Sequence, residues 1–424
     1  MRTDVKLSTK FLTTQNAHQV GVLVTLSGDA PLQRMPINVA LVLDRSGSMG
    51  GRPLEAAKEA AKRFAGFLGS QDRLTIVAFD DDVRTVFGPA SAGDPMALEA
   101  IDRIREGGST NLSGGWLEGC NHVKSGLVEG VNRVVLLTDG QANHGIVEPE
   151  MLAGMTGGAA RERVSTTCIG FGAHFNEDLL QLMAKTGRAN YWYVERDDQM
   201  SAMFDEEIEG LVALAAQNVK VDVQLTHPKA MGVSFLQAYP VDAAPDNTWR
   251  VTLGDCYATS PLALGVIFHV EDVATLGAVE VATVRTEADL IRPGGIEHVV
   301  TTLPVLANLD GTDHPEATVE RTFMRFEAAK AREEAVRRAD AGDFDGAAST
   351  LLAASEIMSP YTFNDAVLRG EVDDMRRESA RMAAHEYSSR DRKYHLARGS
   401  SGREMKEAYM RKLQREPEEG GTNA

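Results

Sequence analysis

Cysteine is scarce in this chain of 424 residues: Cys120, Cys168 and Cys256 are its three. An odd number of widely spaced thiols provides neither a disulfide framework nor a zinc-type pair, so all three read as buried bystanders in a reducing compartment. Long apolar runs are missing too. No segment approaches the roughly 18 consecutive apolar residues that span a bilayer, and residues 1–8 lack the apolar core of a secretory signal, which predicts a cytoplasmic protein without a membrane span. Positive charge is in short supply, with 44 Lys and Arg against 61 Asp and Glu and a net charge of -17. That balance disfavours nucleic acid and anionic lipid and leaves proteins as the expected partners. Catalytic signatures are absent as well. There is no Gly-x-Ser-x-Gly elbow, no phosphate-binding Gly-x-x-x-x-Gly-Lys-Ser/Thr loop and no His-Glu-x-x-His pair. The expectation is a protein that is not an enzyme, with metal-dependent hydrolysis as the weaker alternative.

What is present is the ordinary apolar and charged content of a globular protein, in a chain long enough for two or three cores. From 36 to 215, apolar runs of strand length (38–44, 73–79, 131–138, 164–170, 190–194 and a weaker 83–87) alternate with amphipathic stretches. The stretches 53–69, 112–125, 148–163, 176–186 and 197–215 are expected helices. This alternation predicts an α/β fold, a doubly wound and mostly parallel sheet of Rossmann-like type. Residues 217–305 change to short, β-branched, alternating pieces, and residues 1–35 share that texture but are too few to fold alone. The α/β unit is therefore expected to be inserted in a discontinuous antiparallel β-sandwich. A helical region follows over 315–387, with Gly342 and Asp343 as the stop of one helix and the cap of the next, and a third helix over 362–387. The charged tail 388–424 is expected to be mobile.

One stretch carries chemistry. The apolar strand 38–43 runs directly into Asp44-Arg45-Ser46-Gly47-Ser48, a carboxylate and two hydroxyls on a tight turn. Hard cations such as Mg2+ take oxygen ligands and keep several waters, so one acid with small hydroxyls suits them. Parallel neighbours at 38–44 and 131–138 would bring Asp44 and Asp139 to the same sheet edge, where open α/β sheets collect ligands. The loop 107–112 before a helix can add the Thr110 hydroxyl. Local alternatives exist for each group: Asp44, Ser46 and Ser48 could cap the next helix, Thr110 could cap the one near Leu112, and Asp139-Gly140 could be a plain turn. Asp80-Asp81-Asp82 reads as a solvated turn rather than a second cation site. His144 reads as a surface residue. Met49 and Trp116 are candidates for the rim, although helix packing accounts for Trp116 equally well. A phosphoryl-transfer role for Asp44 would need a second acid two residues on, where Ser46 stands.

Over 36–215 the chain resembles the von Willebrand factor A (VWA) family and its metal-ion-dependent adhesion site, with Asp44, Ser46, Ser48, Thr110 and Asp139 present in order. The resemblance implies Mg2+, with Mn2+ or Ca2+ as alternatives, held by the serines and by Thr110 or an aspartate. Its open position would take an Asp or Glu from a protein partner. The layout of a β-region split around an A domain is similar to bacterial proteins of the inter-alpha-trypsin-inhibitor heavy-chain type. By the same analogy the chain could serve as an adaptor subunit of an AAA+ ATPase.

Overall fold

The computed structural model describes residues 2–8, 17–28, 34–140, 142–172, 175–237, 239–258, 261–271, 278–292, 295–308, 317–363 and 365–403. Two strands come first, β1 (Arg2–Ser8) and β2 (Ala17–Ser27). An α/β unit follows: β3 (Ile37–Asp44), α1 (Arg52–Phe67), β4 (Arg73–Phe79), β5 (Val83–Ser91), α2 (Met96–Asp102), α3 (Leu112–Ser125), β6 (Val131–Thr138), α4 (Pro149–Arg161), β7 (Ser165–Phe171), α5 (Glu177–Thr186), β8 (Arg188–Val194) and α6 (Met200–Val212). Its strands lie in the order β5-β4-β3-β6-β7-β8, with β4 and β5 antiparallel and the other pairs parallel. Strands β3 and β6 are buried along their whole length, as near-continuous apolar strands of a covered parallel sheet must be. The chain winds outward from β3 through β4, then restarts on the other side with β6. The carboxyl ends of β3 and β6 thus frame the crevice of a topological switch point. Leu43 pairs with Leu137, so Asp44 and Thr138 end their strands side by side.

Helix packing fixes that edge. Leu54, Ala57, Ala61 and Phe64 form the buried stripe of α1, and Phe64 meets Phe204 of α6 edge to face at 6.0 Å. Helix α3 lies directly on the sheet because glycine lets it approach: a Cβ on Gly119 would stand 2.5 Å from the Val42 side chain.

Two local expectations fail. Helix α2 escapes notice because its short span, with Ala97 and Ile101 buried, is too brief for a helical period. The last helix of the unit stops at Val212 rather than 215. From Leu214 the chain is already β9 (Leu214–Leu225), inserted between two sandwich strands, and that pairing overrides the helix preference of Ala213-Leu214-Ala215-Ala216.

The sandwich continues through β10 (Ala230–Phe235), β11 (Val241–Ala244), β12 (Thr248–Tyr257), β13 (Leu262–Glu271), β14 (Ala278–Arg292) and β15 (Gly295–Asn308). One antiparallel sheet has the order β1-β2-β13-β10 and the other β11-β12-β9-β14-β15. Val24 of β2 sits opposite Leu264 of β13, so the first strands join the later ones across the inserted α/β unit. Val22, Val24, Val221, Val223, Val266 and Val284 lie in the core that the two sheets share.

Four helices follow: α7 (Ala317–Asp340), α8 (Phe344–Met358), α9 (Ala366–Ala383) and α10 (Ser389–Arg403). Gly342 takes φ +82°, and Asp343 caps α8 by accepting the Gly346 N–H at 2.9 Å. The tail over 388–424, expected to be mobile, differs in its first part: 389–403 is helix α10, with Lys393, Tyr394 and His395 buried, whereas 404–424 lies outside the described residues. Composition misled because α10 docks through charge rather than an apolar stripe. Arg332 of α7 is fully buried between Glu371 and Asp374 of α9, each at 2.6 Å, and donates to His395 Nδ1 at 2.9 Å. From α10, Arg392 pairs with Glu177 and Asp178 at the start of α5, and Lys393 donates to the Phe175 carbonyl at 2.7 Å.

Candidate functional site

Asp44 ends β3 completely buried. One of its oxygens accepts the Ser46 N–H at 2.8 Å and the other accepts the Thr138 hydroxyl. Gly47 donates its N–H to the Gly108 carbonyl at 2.9 Å, which ties the turn after β3 to the loop before α3. The turn stacks the two serine hydroxyls 3.2 Å apart, and Ser48 donates to Asp139 Oδ1 at 2.8 Å. Thr110 is buried beside the end of β6, since a Cβ on Gly140 would lie 2.9 Å from its hydroxyl. The candidate residues therefore gather at the crevice between β3 and β6.

The capping alternatives are occupied by other groups. Helix α1 has Gly51 at its N-cap, and the Ser46 and Ser48 hydroxyls hold no backbone N–H. Asn111, not Thr110, caps α3, accepting the Gly114 N–H at 3.0 Å. Trp116 is buried and donates to the Thr166 hydroxyl at 3.0 Å, which makes it a packing residue; His144 is exposed.

Asp80 was missed. Read from sequence as part of a solvated turn, it is only 5% exposed, pairs with Arg45 at 2.7 Å and accepts N–H groups from Asp82 and Gly108. Its carbonyl takes the Asn111 N–H, and Asp81 accepts the Ser109 N–H at 2.6 Å. These acids pin the loop that carries Thr110. Asn143 adds a second tether, its side-chain oxygen accepting from the Thr110 N–H at 3.0 Å. A run of three acids between strands signals only a turn, so nothing in the primary order marks Asp80 as a loop anchor.

Burial pushes the Asp44 carboxyl up to about 6, hydrogen bonds from Ser46 and Thr138 pull the other way, and the charge of Asp139 adds to the rise. Among the described residues no Lys, Arg or His lies within salt-bridge distance of Asp44. A cation would relieve that buried charge. Donor chemistry points to a hard ion, because the groups gathered at this edge are hydroxyl and carboxylate oxygens with no thiol or imidazole among them. Adjacent vertices of a Mg2+ octahedron lie about 2.9 Å apart. The 3.2 Å and 2.8 Å contacts around Ser48 bracket that spacing.

Residues 38–206 match the family model of the von Willebrand factor type A domain. The chain carries a VWA domain. An uncharacterised protein of Synechocystis is 26% identical over 351 residues, covering 80% of this chain and 82% of its own length. Human inter-alpha-trypsin inhibitor heavy chain H1 is 29% identical over 218 residues; the match covers 49% of this chain and 23% of that longer protein. Among solved structures, a von Willebrand factor type A protein from Catenulispora acidiphila superposes with a TM-score of 0.65 at 18% identity, covering 87% of this chain and 88% of that one. The ArnB paralog VWA2 of Sulfolobus acidocaldarius gives 0.62 at 14% identity, covering 95% and 98%. Both superpositions share the fold and extend beyond the A domain over most of this chain. No helix among the described residues is long and apolar enough to cross a membrane.

Proposed function

We propose that this chain is a metal-dependent protein-binding module whose A domain holds Mg2+ with Asp44, Ser46, Ser48, Thr110 and Asp139 and captures an Asp or Glu of a protein partner. The observation that carries the reading is the pairing of a fully buried Asp44, without a protein cation, with two serine hydroxyls at ligand-to-ligand spacing. In this reading the Ser46 and Ser48 hydroxyls bind the ion directly, while Asp44 and Asp139 neutralise part of its charge and orient its waters. Neutral hydroxyl ligands leave a bound ion strongly positive, which favours an external carboxylate. Asp80 and Asn143 keep Thr110 at the edge. The same site lacks an identifiable general base, so binding fits it better than hydrolysis.

The test has two arms. Calorimetric titration of the full chain with Mg2+ is expected to show one site that Asp44→Ala removes while the melting transition remains cooperative. Affinity capture from native extract in Mg2+ is expected to recover a protein that EDTA releases. Absence of Mg2+ binding, or capture indifferent to EDTA and to Asp44→Ala, overturns the proposal.

A further inference from the structure

A cleft of about 320 Å³ opens where the A domain meets the sandwich, lined by Leu182 of α5, Arg188 and Tyr191 of β8, Tyr239, Leu253 of β12 and Leu262 of β13. It lies at the amino end of β8, whereas Asp44 and Asp139 stand at carboxyl ends, so it is a separate feature of the sheet. Concave, mainly apolar hollows at domain junctions with a few polar groups are the usual form of small-molecule sites, and this volume lies at the small end of their range.

The charges at the cleft are unevenly committed. Asp255 on its floor is held by Arg133 at 2.6 Å, Asp178 is held by Arg392 at 3.0 Å, and Lys185 and Glu333 have partners of their own. Arg188 differs. Among the described residues its guanidinium has one hydrogen-bond partner, the neutral Asn218 side chain at 2.7 Å, and no carboxylate within salt-bridge distance. Burial works against its charge, with Asp255 supplying only a more distant attraction. Arg188 also takes φ +56°, a conformation that residues with a Cβ rarely adopt and that tends to mark functional positions. Arg188 shares the cleft lining with Tyr191, Leu253 and Leu262, and a guanidinium offers a planar fork to a carboxylate, with apolar walls for the rest of the ligand.

We infer that this cleft binds a small organic acid, a monocarboxylate with an aromatic or branched apolar body, whose carboxylate engages Arg188 and whose body packs between Tyr191, Leu253 and Leu262. Such a ligand bridges the A domain and the sandwich, and it does so independently of the metal edge.

Indole-3-acetate and its neutral isostere indole-3-acetamide are suitable probes, titrated calorimetrically against the full chain in EDTA. The acetate is expected to bind at least tenfold tighter than the amide, and Arg188→Gln is expected to abolish that preference without altering the melting transition. Should Arg188→Gln fail to fold, Arg188→Lys, which keeps the charge but loses the fork, is expected to retain binding with a reduced preference. Equal binding of acetate and amide, a preference that survives Arg188→Gln, or no binding of either probe overturns the inference.

Discussion

Two buried acids in this molecule behave in opposite ways. Asp44 at the sheet edge and Asp374 in the helical region are both completely buried. Burial raises both carboxyls, but around Asp374 the guanidinium groups of Arg332 and Arg398 outweigh it and hold the acid well below its ordinary range. Glu371 beside it is likewise lowered against the same desolvation, by Arg332 and Arg398. At Asp44 nothing of that kind intervenes, and the carboxyl rises to about 6. An acid that brings its own cation is architecture, here the means by which α10 is drawn onto α7 and α9. An acid buried without one carries a charge that no protein group balances.

The largest expected effect comes from breaking the balanced side. Arg332→Met leaves Glu371 and Asp374 buried without their central partner and is expected to destabilise the protein by about 3–5 kcal/mol, with loss of α10 protection in hydrogen exchange. Urea unfolding measures it; a change below about 1 kcal/mol would show that the cluster is not holding charge as described.

Next is the unbalanced side. Because the folded-state value for Asp44 lies above its unfolded value, its contribution without metal is most favourable at low pH and is lost as pH rises from about 4 to about 6, a span worth at most about 3 kcal/mol. Glu371 and Asp374 have the reverse sign, present above their unfolded values and lost as pH falls. Asp44→Asn is therefore expected to raise metal-free stability near neutral pH by about 1–3 kcal/mol while abolishing stabilisation by Mg2+. Thermal melts with and without Mg2+ across pH 4–8 measure both, and a destabilised Asn variant would contradict the assignment.

A weaker change is expected at Asp80. Asp80→Ala touches no proposed ligand yet removes the anchor of the Thr110 loop. It is expected to weaken Mg2+ binding about tenfold with little change in the Ser46 and Ser48 resonances of the metal-free protein. Unchanged affinity would mean that the remaining tethers, Asp81 and Asn143, hold the loop well enough without it.

Much of this was legible in the residues. The alternation of apolar strands with amphipathic helices gave the parallel sheet, and Asp44-x-Ser46-x-Ser48 after a buried strand marked the edge where Thr110 and Asp139 were to be sought. What stayed hidden depends on contacts distant in sequence. Asp80 looks like any acid in a turn until the Gly108 N–H and Arg45 are placed around it. Lys393 and Arg392 look like a solvated tail until Glu177 is found more than two hundred residues away in sequence. The early stop of α6 belongs to the same class, since only the neighbours of β9 make Leu214 a strand residue. Local chemistry is written in local order, whereas charge pairing between domains is not.

The edge lined by Asp44, Ser46 and Ser48 is proposed to accept an external divalent cation. Crystals grown with Mn2+ and measured at its absorption edge test it most directly. One strong anomalous peak is expected, bonded to the hydroxyls of Ser46 and Ser48 and absent in Asp44→Asn crystals. A map with no peak there, and with Ser48 still donating to Asp139, would contradict it.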